Sequence, residues 1–204
     1  MKSKVNKSKV KAWLNQYEIS NFTIRSDGIV DVDDDVDLTG FDEPILPVQF
    51  GKVSGSFNCY GSALISLQGT PQTVGGDFDC HCTLVTSLQG SPRFIGGSFD
   101  CYSTKIKSLD GAPASVGGGF YCDDNNIVTL HGIHKTILYL GSGFYCTGTE
   151  VHLLGLLLIK GVVKFDIDSN GPIDKIFNKY VGTGDILSAQ DELIDAGFIE
   201  QARL

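Results

Sequence analysis

The stretch VGGDFDC at residues 74–80 decides how this chain folds, because it recurs. IGGSFDC stands at 95–101, VGGGFYC at 116–122, and a worn copy, VSGSFNC, at 53–59. Cys59, Cys80, Cys101 and Cys122 are each 21 residues apart; Phe57, Phe78, Phe99 and Phe120 keep that interval, as do Leu67, Leu88, Leu109 and Leu130. Prolines follow at Pro71, Pro92 and Pro113. One interval earlier, Val36, Leu38 and Leu46 take the places of Phe57, Cys59 and Leu67. Phe144 and Cys146 come 24 residues after Phe120 and Cys122, which places a three-residue insertion near 132–136. Repetition on this scale predicts a solenoid, in which stacked units bury a face that one unit alone leaves exposed.

Within a unit, Phe and Cys alternate with Asn58, Asp79 or Asp100, the period-2 pattern of a short strand with Phe and Cys turned inward. The chain then turns through VTSLQG, IKSLDG or IVTLHG, each returning an apolar residue and a Leu to the core before Gly and Pro punctuate. Gly-Gly ahead of each strand offers a side-chain-free backbone where neighbouring coils come close or φ turns positive.

The unit P-x-x-V-G-G-x-F-x-C-x-x-[TN]-x-[VI]-x-[ST]-L resembles the leucine-rich repeat in its short bacterial form of about 20 residues. Phe78 and Cys80 fall on the second and third consensus leucines, Thr83 on the asparagine (Asn125 in its own unit) and Val85 on the last leucine. The departure is at the first leucine, where Gly75, Gly96 and Gly117 stand. With its SLxGxP and GGxFxC elements, the pattern over about residues 28–150 is similar to leucine-rich-repeat-like proteins encoded by bacteriophages. That resemblance implies a mainly β solenoid of short parallel strands. It further implies a phage accessory protein in the host cytoplasm that binds, and in doing so inhibits, a bacterial host-defence protein.

Three regions are expected. Residues 1–35 hold a cap helix over 5–17, with Val5, Val10, Trp13, Leu14 and Tyr17 at helical spacing, and a hairpin about Asp27-Gly28. Residues 36–150 form the solenoid. Residues 151–204 contain LLLIKGVVKFDID at 156–168, read as one or two closing strands, and end in two helices forming a cap or a small module. Pro172 starts the first of these, running to about Tyr180. The second is predicted to turn Ile186, Leu187, Leu193, Ile194 and Phe198 inward.

Net charge is −8, with five lysines and no acid in the first twelve residues, so the remainder sets 11 basic against 24 acidic groups. An acidic body repels phosphate backbones, which argues against direct nucleic-acid binding. No run is apolar and long enough to span a bilayer, and the basic start lacks an apolar signal core; a cytoplasmic protein with reduced thiols is expected.

The cysteine ladder reads as core, since in-register neighbours on parallel strands suit packing better than disulfide geometry. Cys82 lies beyond the strand and is expected to be accessible. The acidic run DVDDDVD at 31–37 is predicted to align Asp31, Asp33, Asp35 and Asp37, but it lacks the Gly and Glu of a calcium loop. His131 and His134, three apart, read as surface loop. No catalytic motif, cofactor motif or metal-ligand spacing occurs. The outward strand positions are expected to build one concave face that carries Tyr60, Asp77, Asp79, His81, Asp100, Tyr102, Tyr121, Asp123 and Tyr145. Exposed tyrosines among acids fit a non-enzymatic module binding a protein with a basic surface. Two alternatives stand beside it: an acidic decoy for a DNA-binding protein, and an enzyme using His81 with neighbouring acids.

Overall fold

The structure, a computed structural model, describes residues 6–147 and 152–203. The chain winds as a parallel β-solenoid of about six turns. Each turn gives one short strand to each of two seven-stranded sheets. The first sheet contains Thr73–Val74, Phe94–Ile95 and Ser115–Val116; the second contains Phe57–Asn58, Phe78–Asp79, Phe99–Asp100 and Phe120–Tyr121. The first sheet is a second set of strands beyond those that the Phe–Cys alternation marks. Its strands Thr73–Val74, Phe94–Ile95, Ser115–Val116 and Tyr139–Leu140 are two residues long and run into a glycine, which leaves them without an alternating pattern.

In the second sheet Phe57, Phe78, Phe99, Phe120, Phe144 and Phe165 pair in one register. Their side chains are fully buried. The rings of Phe57 and Phe78 stack at 5.5 Å, and those of Phe78 and Phe99 at 5.7 Å. Each buried ring removes enough apolar surface to stabilise by about 2 kcal/mol, and ring pairing adds roughly 1 kcal/mol. The insertion falls where the spacing places it. A one-turn helix, α2 (Ile133–Thr136), absorbs it and leaves the Phe120–Phe144 pairing intact.

Cys59, Cys80, Cys101, Cys122 and Cys146 are buried in the row beside the phenylalanines. The Cys59 thiol donates to the Asp79 carbonyl one coil on, at 3.2 Å, and Cys80 repeats this toward Asp100 at 3.3 Å. Burial pushes the thiols of Cys59, Cys80, Cys101 and Cys122 well above their ordinary range.

The Gly-Gly pairs form the corner between the sheets. A Cβ on Gly96 would lie 2.1 Å from the Gly75 carbonyl oxygen, and one on Gly117 would lie 2.1 Å from that of Gly96. Here coil touches coil through bare backbone. That contact requires glycine at these positions.

At the N-terminal end α1 (Lys7–Gln16) buries Leu14 and sets Trp13 edge-on to Phe41 at 6.0 Å; Val5 lies outside the described residues. Phe22–Ile24 and Val30–Val32 pair antiparallel, the hairpin expected at Asp27-Gly28. The run DVDDDVD does not align on one face. Asp31 lies in the first sheet and Asp37 in the second, with the corner between them. Asp31 is held by Arg25 through two 2.6 Å bonds, whereas Asp35 accepts from Ser56 N–H.

At the other end, residue 151 and the 150/151 boundary lie outside the described residues. The leucine run is not a strand: Leu154–Leu158 is a 3-10 helix burying Leu154, Gly155, Leu156 and Leu157 together, a demand an alternating strand cannot meet. One closing strand follows, Lys164–Asp166. Then come α3 (Pro172–Tyr180) and α4 (Ile186–Asp195). Leu193 is buried and Ile186 and Phe198 pack against the core as predicted, with Ala189 buried beside them, whereas Leu187 is 73% exposed and Ile194 46%, contrary to expectation. Among the described residues no helix is long and apolar enough to cross a membrane.

Candidate interaction face

The solvent-facing side of the second sheet carries two rows of outward strand positions and a third at the turn that follows. Each row is ordered by the coil-to-coil register. The central row runs Asp37, Asn58, Asp79, Asp100, Tyr121, Tyr145 and Asp166. Its acids and amide have a local task. Asp37, Asn58, Asp79 and Asp100 each accept, through Oδ1, the backbone N–H two residues on, at 2.9 Å. These bonds hold the chain as it leaves the strand and aim residues 39, 60, 81 and 102 out of the sheet.

The row one step earlier ties coils together. Asp35 accepts from Ser56 N–H, Ser56 Oγ from Asp77 N–H, Asp77 from Ser98 N–H and Ser98 Oγ from Gly119 N–H. Asp77 is therefore at once an exposed carboxylate and a rung of this ladder. The ladder stops at Gly119 for a reason visible beside it. A Cβ on Gly119 would lie 2.8 Å from the Tyr121 hydroxyl, and one on Gly143 2.7 Å from the Tyr145 ring. Glycine two residues before each tyrosine lets the ring lie flat along the strand. Tyr121 and Tyr145 then stack at 4.6 Å and 8°.

In the turn row Tyr60 stacks on His81 at 4.1 Å and 23°, while Tyr102 tilts 6.4 Å from His81. His81 Nδ1 meets Asp79 Oδ1 at 2.5 Å. The Tyr102 hydroxyl donates to Asp124 at 2.7 Å, and Asp123 accepts from Thr147 N–H at 2.7 Å. The face thus has an acid–imidazole half about Asp79, His81 and Asp100 and a tyrosine half about Tyr121 and Tyr145. Between the tyrosine half and the last coil lies a cleft of about 340 Å³ lined by Tyr102, Asp123, Asp124, Tyr145 and Asp166, among others.

Electrostatics follow the crowding of acids. Burial, helped by Asp79 and Asp123, raises the Asp100 carboxyl above its ordinary range, against the Tyr102 N–H and His81, which lower it. Tyr121 is also pushed up, first by burial and then by Tyr145, Asp100 and Asp77. Lys164 is the cation that reaches the face, 5.9 Å above the Tyr145 ring and 3.8 Å from Asp166.

All nine residues singled out from the sequence lie on this one surface, though in two clusters. Missed were Asp124, Lys164 and Asp166. The last two had a signal: Phe165 and Ile167 stand 21 residues after Phe144 and Cys146, one more turn of the same interval. His131 is exposed in the turn before α2, as expected of a surface loop, and meets the His152 ring at 5.6 Å, whereas His134 lies within α2 and is half-buried. No protein-family model, curated protein or solved structure matches the chain.

Proposed function

We propose that this chain is a non-enzymatic interaction module whose second-sheet face binds a partner protein with a basic surface. One observation carries the reading: two ring stacks, Tyr60 on His81 and Tyr121 on Tyr145, stand among carboxylates, with Lys164 offsetting them at one end among the described residues. Flat, pre-stacked rings lose little freedom on binding, and the acids steer a cationic partner toward them. Only the phage resemblance points to a bacterial protein as that partner and to inhibition as the effect. The 2.5 Å His81–Asp79 contact favours one second reading, an enzyme in which that pair moves a proton.

The test is capture from bacterial lysate by the wild type and by a Tyr60→Ala, Tyr145→Ala variant of unchanged melting temperature. The proposal expects a protein held by the wild type alone and released as salt rises. Equal capture by both would move binding off this face. Release by duplex DNA would point instead to a decoy of a DNA-binding protein, and turnover lost in His81→Ala to the enzymatic reading.

A further inference from the structure

The acid–imidazole half of the face carries a second inference, independent of any protein partner. Asp79 and Asp100 are register partners on neighbouring strands, so their carboxylates project side by side. His81, two residues beyond Asp79, brings its imidazole back toward them. One donor atom from each of the three lies within 4.8 Å of the others, and all three residues are partly buried. We propose that Asp79, His81 and Asp100 bind a divalent transition-metal ion of the zinc class, leaving its outer side open to a further ligand.

Four features support this. First, the donors are held before any ion arrives. Each carboxylate is anchored by Oδ1, which accepts a backbone N–H, and the ring is held by Tyr60 on its face; the His81 Nδ1–Asp79 hydrogen bond keeps the two groups together and is exchanged for bonds to the ion. Second, the charge is uncompensated. Among the described residues the only ion pair here is His81 with Asp79, while Asp77 and Asp123 add to the negative field. A cation would relieve the repulsion between Asp79 and Asp100. Third, the mixed set is selective. Two carboxylates alone would suit calcium or magnesium, whereas an imidazole nitrogen favours zinc, cobalt, nickel or iron. Fourth, the scale fits. Tetrahedral zinc with bonds of about 2.1 Å needs donors roughly 3.4 Å apart, within reach of side-chain torsions from the present spacing.

Other features were weaker. Asp166, Asp168, Asn170 and Gly171 follow a calcium-loop spacing, but Asp168 accepts the N–H groups of Ile173 and Asp174, and Asp174 those of Ile167 and Asn170, so these oxygens serve the start of α3. Phe94, Leu138 and Tyr139 are exposed apolar residues with nothing to identify what would cover them.

Cys82 is exposed next to His81 and is the obvious rival ligand. The test therefore titrates Zn²⁺ calorimetrically, and Co²⁺ by visible absorption, into the full chain and into Cys82→Ser, His81→Ala and Asp100→Asn. The expected result is one ion per chain, no thiolate-to-cobalt charge-transfer band and wild-type affinity in Cys82→Ser. His81→Ala and Asp100→Asn should each weaken binding at least ~10-fold, the loss that even an outer-shell change produces. Asp100→Asn keeps an oxygen for the Tyr102 N–H, as Asn58 does for Tyr60, so lost binding in it reports on the ion and not on folding. The proposal is overturned by no saturable binding at millimolar Zn²⁺, by a thiolate band with loss in Cys82→Ser, or by wild-type affinity in both His81→Ala and Asp100→Asn.

Discussion

Asn178 holds Phe165 by both backbone groups: its Oδ1 accepts the Phe165 N–H at 2.7 Å and its Nδ2 donates to the Phe165 carbonyl at 2.9 Å. One turn earlier on α3, Asp174 accepts the N–H of Ile167 at 2.6 Å. Side chains of a helix thus occupy the hydrogen-bonding positions that an eighth strand would take. Without them the last coil would present a raw sheet edge.

Asn178→Ala should therefore cost about 2 kcal/mol, because it leaves a part-buried N–H and C=O without partners at once. Urea unfolding followed by circular dichroism measures it. A loss under about 0.5 kcal/mol would mean that water serves the edge equally well.

Two glycine substitutions should behave differently. Gly96→Ala places a methyl 2.1 Å from the Gly75 carbonyl oxygen and should cost roughly 3 kcal/mol or more. Gly61 has φ +63° but nothing within 4 Å of a Cβ, so Gly61→Ala should cost about 1 kcal/mol of backbone strain. Its counterparts Cys82, Ser103 and Asp124 already sit at φ +51° to +55° with side chains. Equal melting temperatures for the two variants would contradict the corner contact.

Asp100 predicts a pH dependence. Its folded carboxyl titrates above the ordinary value of 3.8, so between that value and the folded one the native state binds more protons than the unfolded state. Stability contributed by this group is greatest below 3.8 and declines as pH rises through the folded value. Asp100→Asn should accordingly melt higher than wild type at pH 7 and nearly alike at pH 3. A variant less stable than wild type at pH 7 would refute this.

Thiol chemistry should separate one cysteine from five. In native protein a thiol reagent should label Cys82 alone; Cys59, Cys80, Cys101, Cys122 and Cys146 should react only on unfolding. Intact-mass spectrometry counts the adducts, and a second native adduct would show an opening of the core.

What the sequence discloses here is translation along the axis. The core rows Phe57 to Phe120, Cys59 to Cys122 and Leu67 to Leu130 follow from the 21-residue interval, since burial acts identically on each coil. The first sheet escapes notice because Thr73–Val74 and its equivalents run straight into Gly-Gly, so no second inward residue follows Val as Cys follows Phe in the second sheet. Of the five residues expected inward at α4, Ile186, Leu193 and Phe198 are so, but Leu187 and Ile194 are apolar yet exposed, because apolar letters do not by themselves face a core. At the face, the nine residues are legible by column, but their partners are not. Asn58, Asp79 and Asp100 look free in sequence and prove to hold turns. The pairing of Gly119 with Tyr121 and of Gly143 with Tyr145 was written in the sequence, visible only when two columns are read together.

The corner where Gly75, Gly96 and Gly117 meet through backbone alone has a genetic consequence. A joint without side chains is indifferent to which coil lies on either side, so gain or loss of one 21-residue unit leaves this backbone contact as it was. A gene with such a joint can vary by whole coils, through unequal recombination between its repeated segments. Each added coil would lengthen the separation between the histidine half and the tyrosine half by one strand spacing, about 4.8 Å. Coil number is thus a ruler that selection can set without redesigning the core.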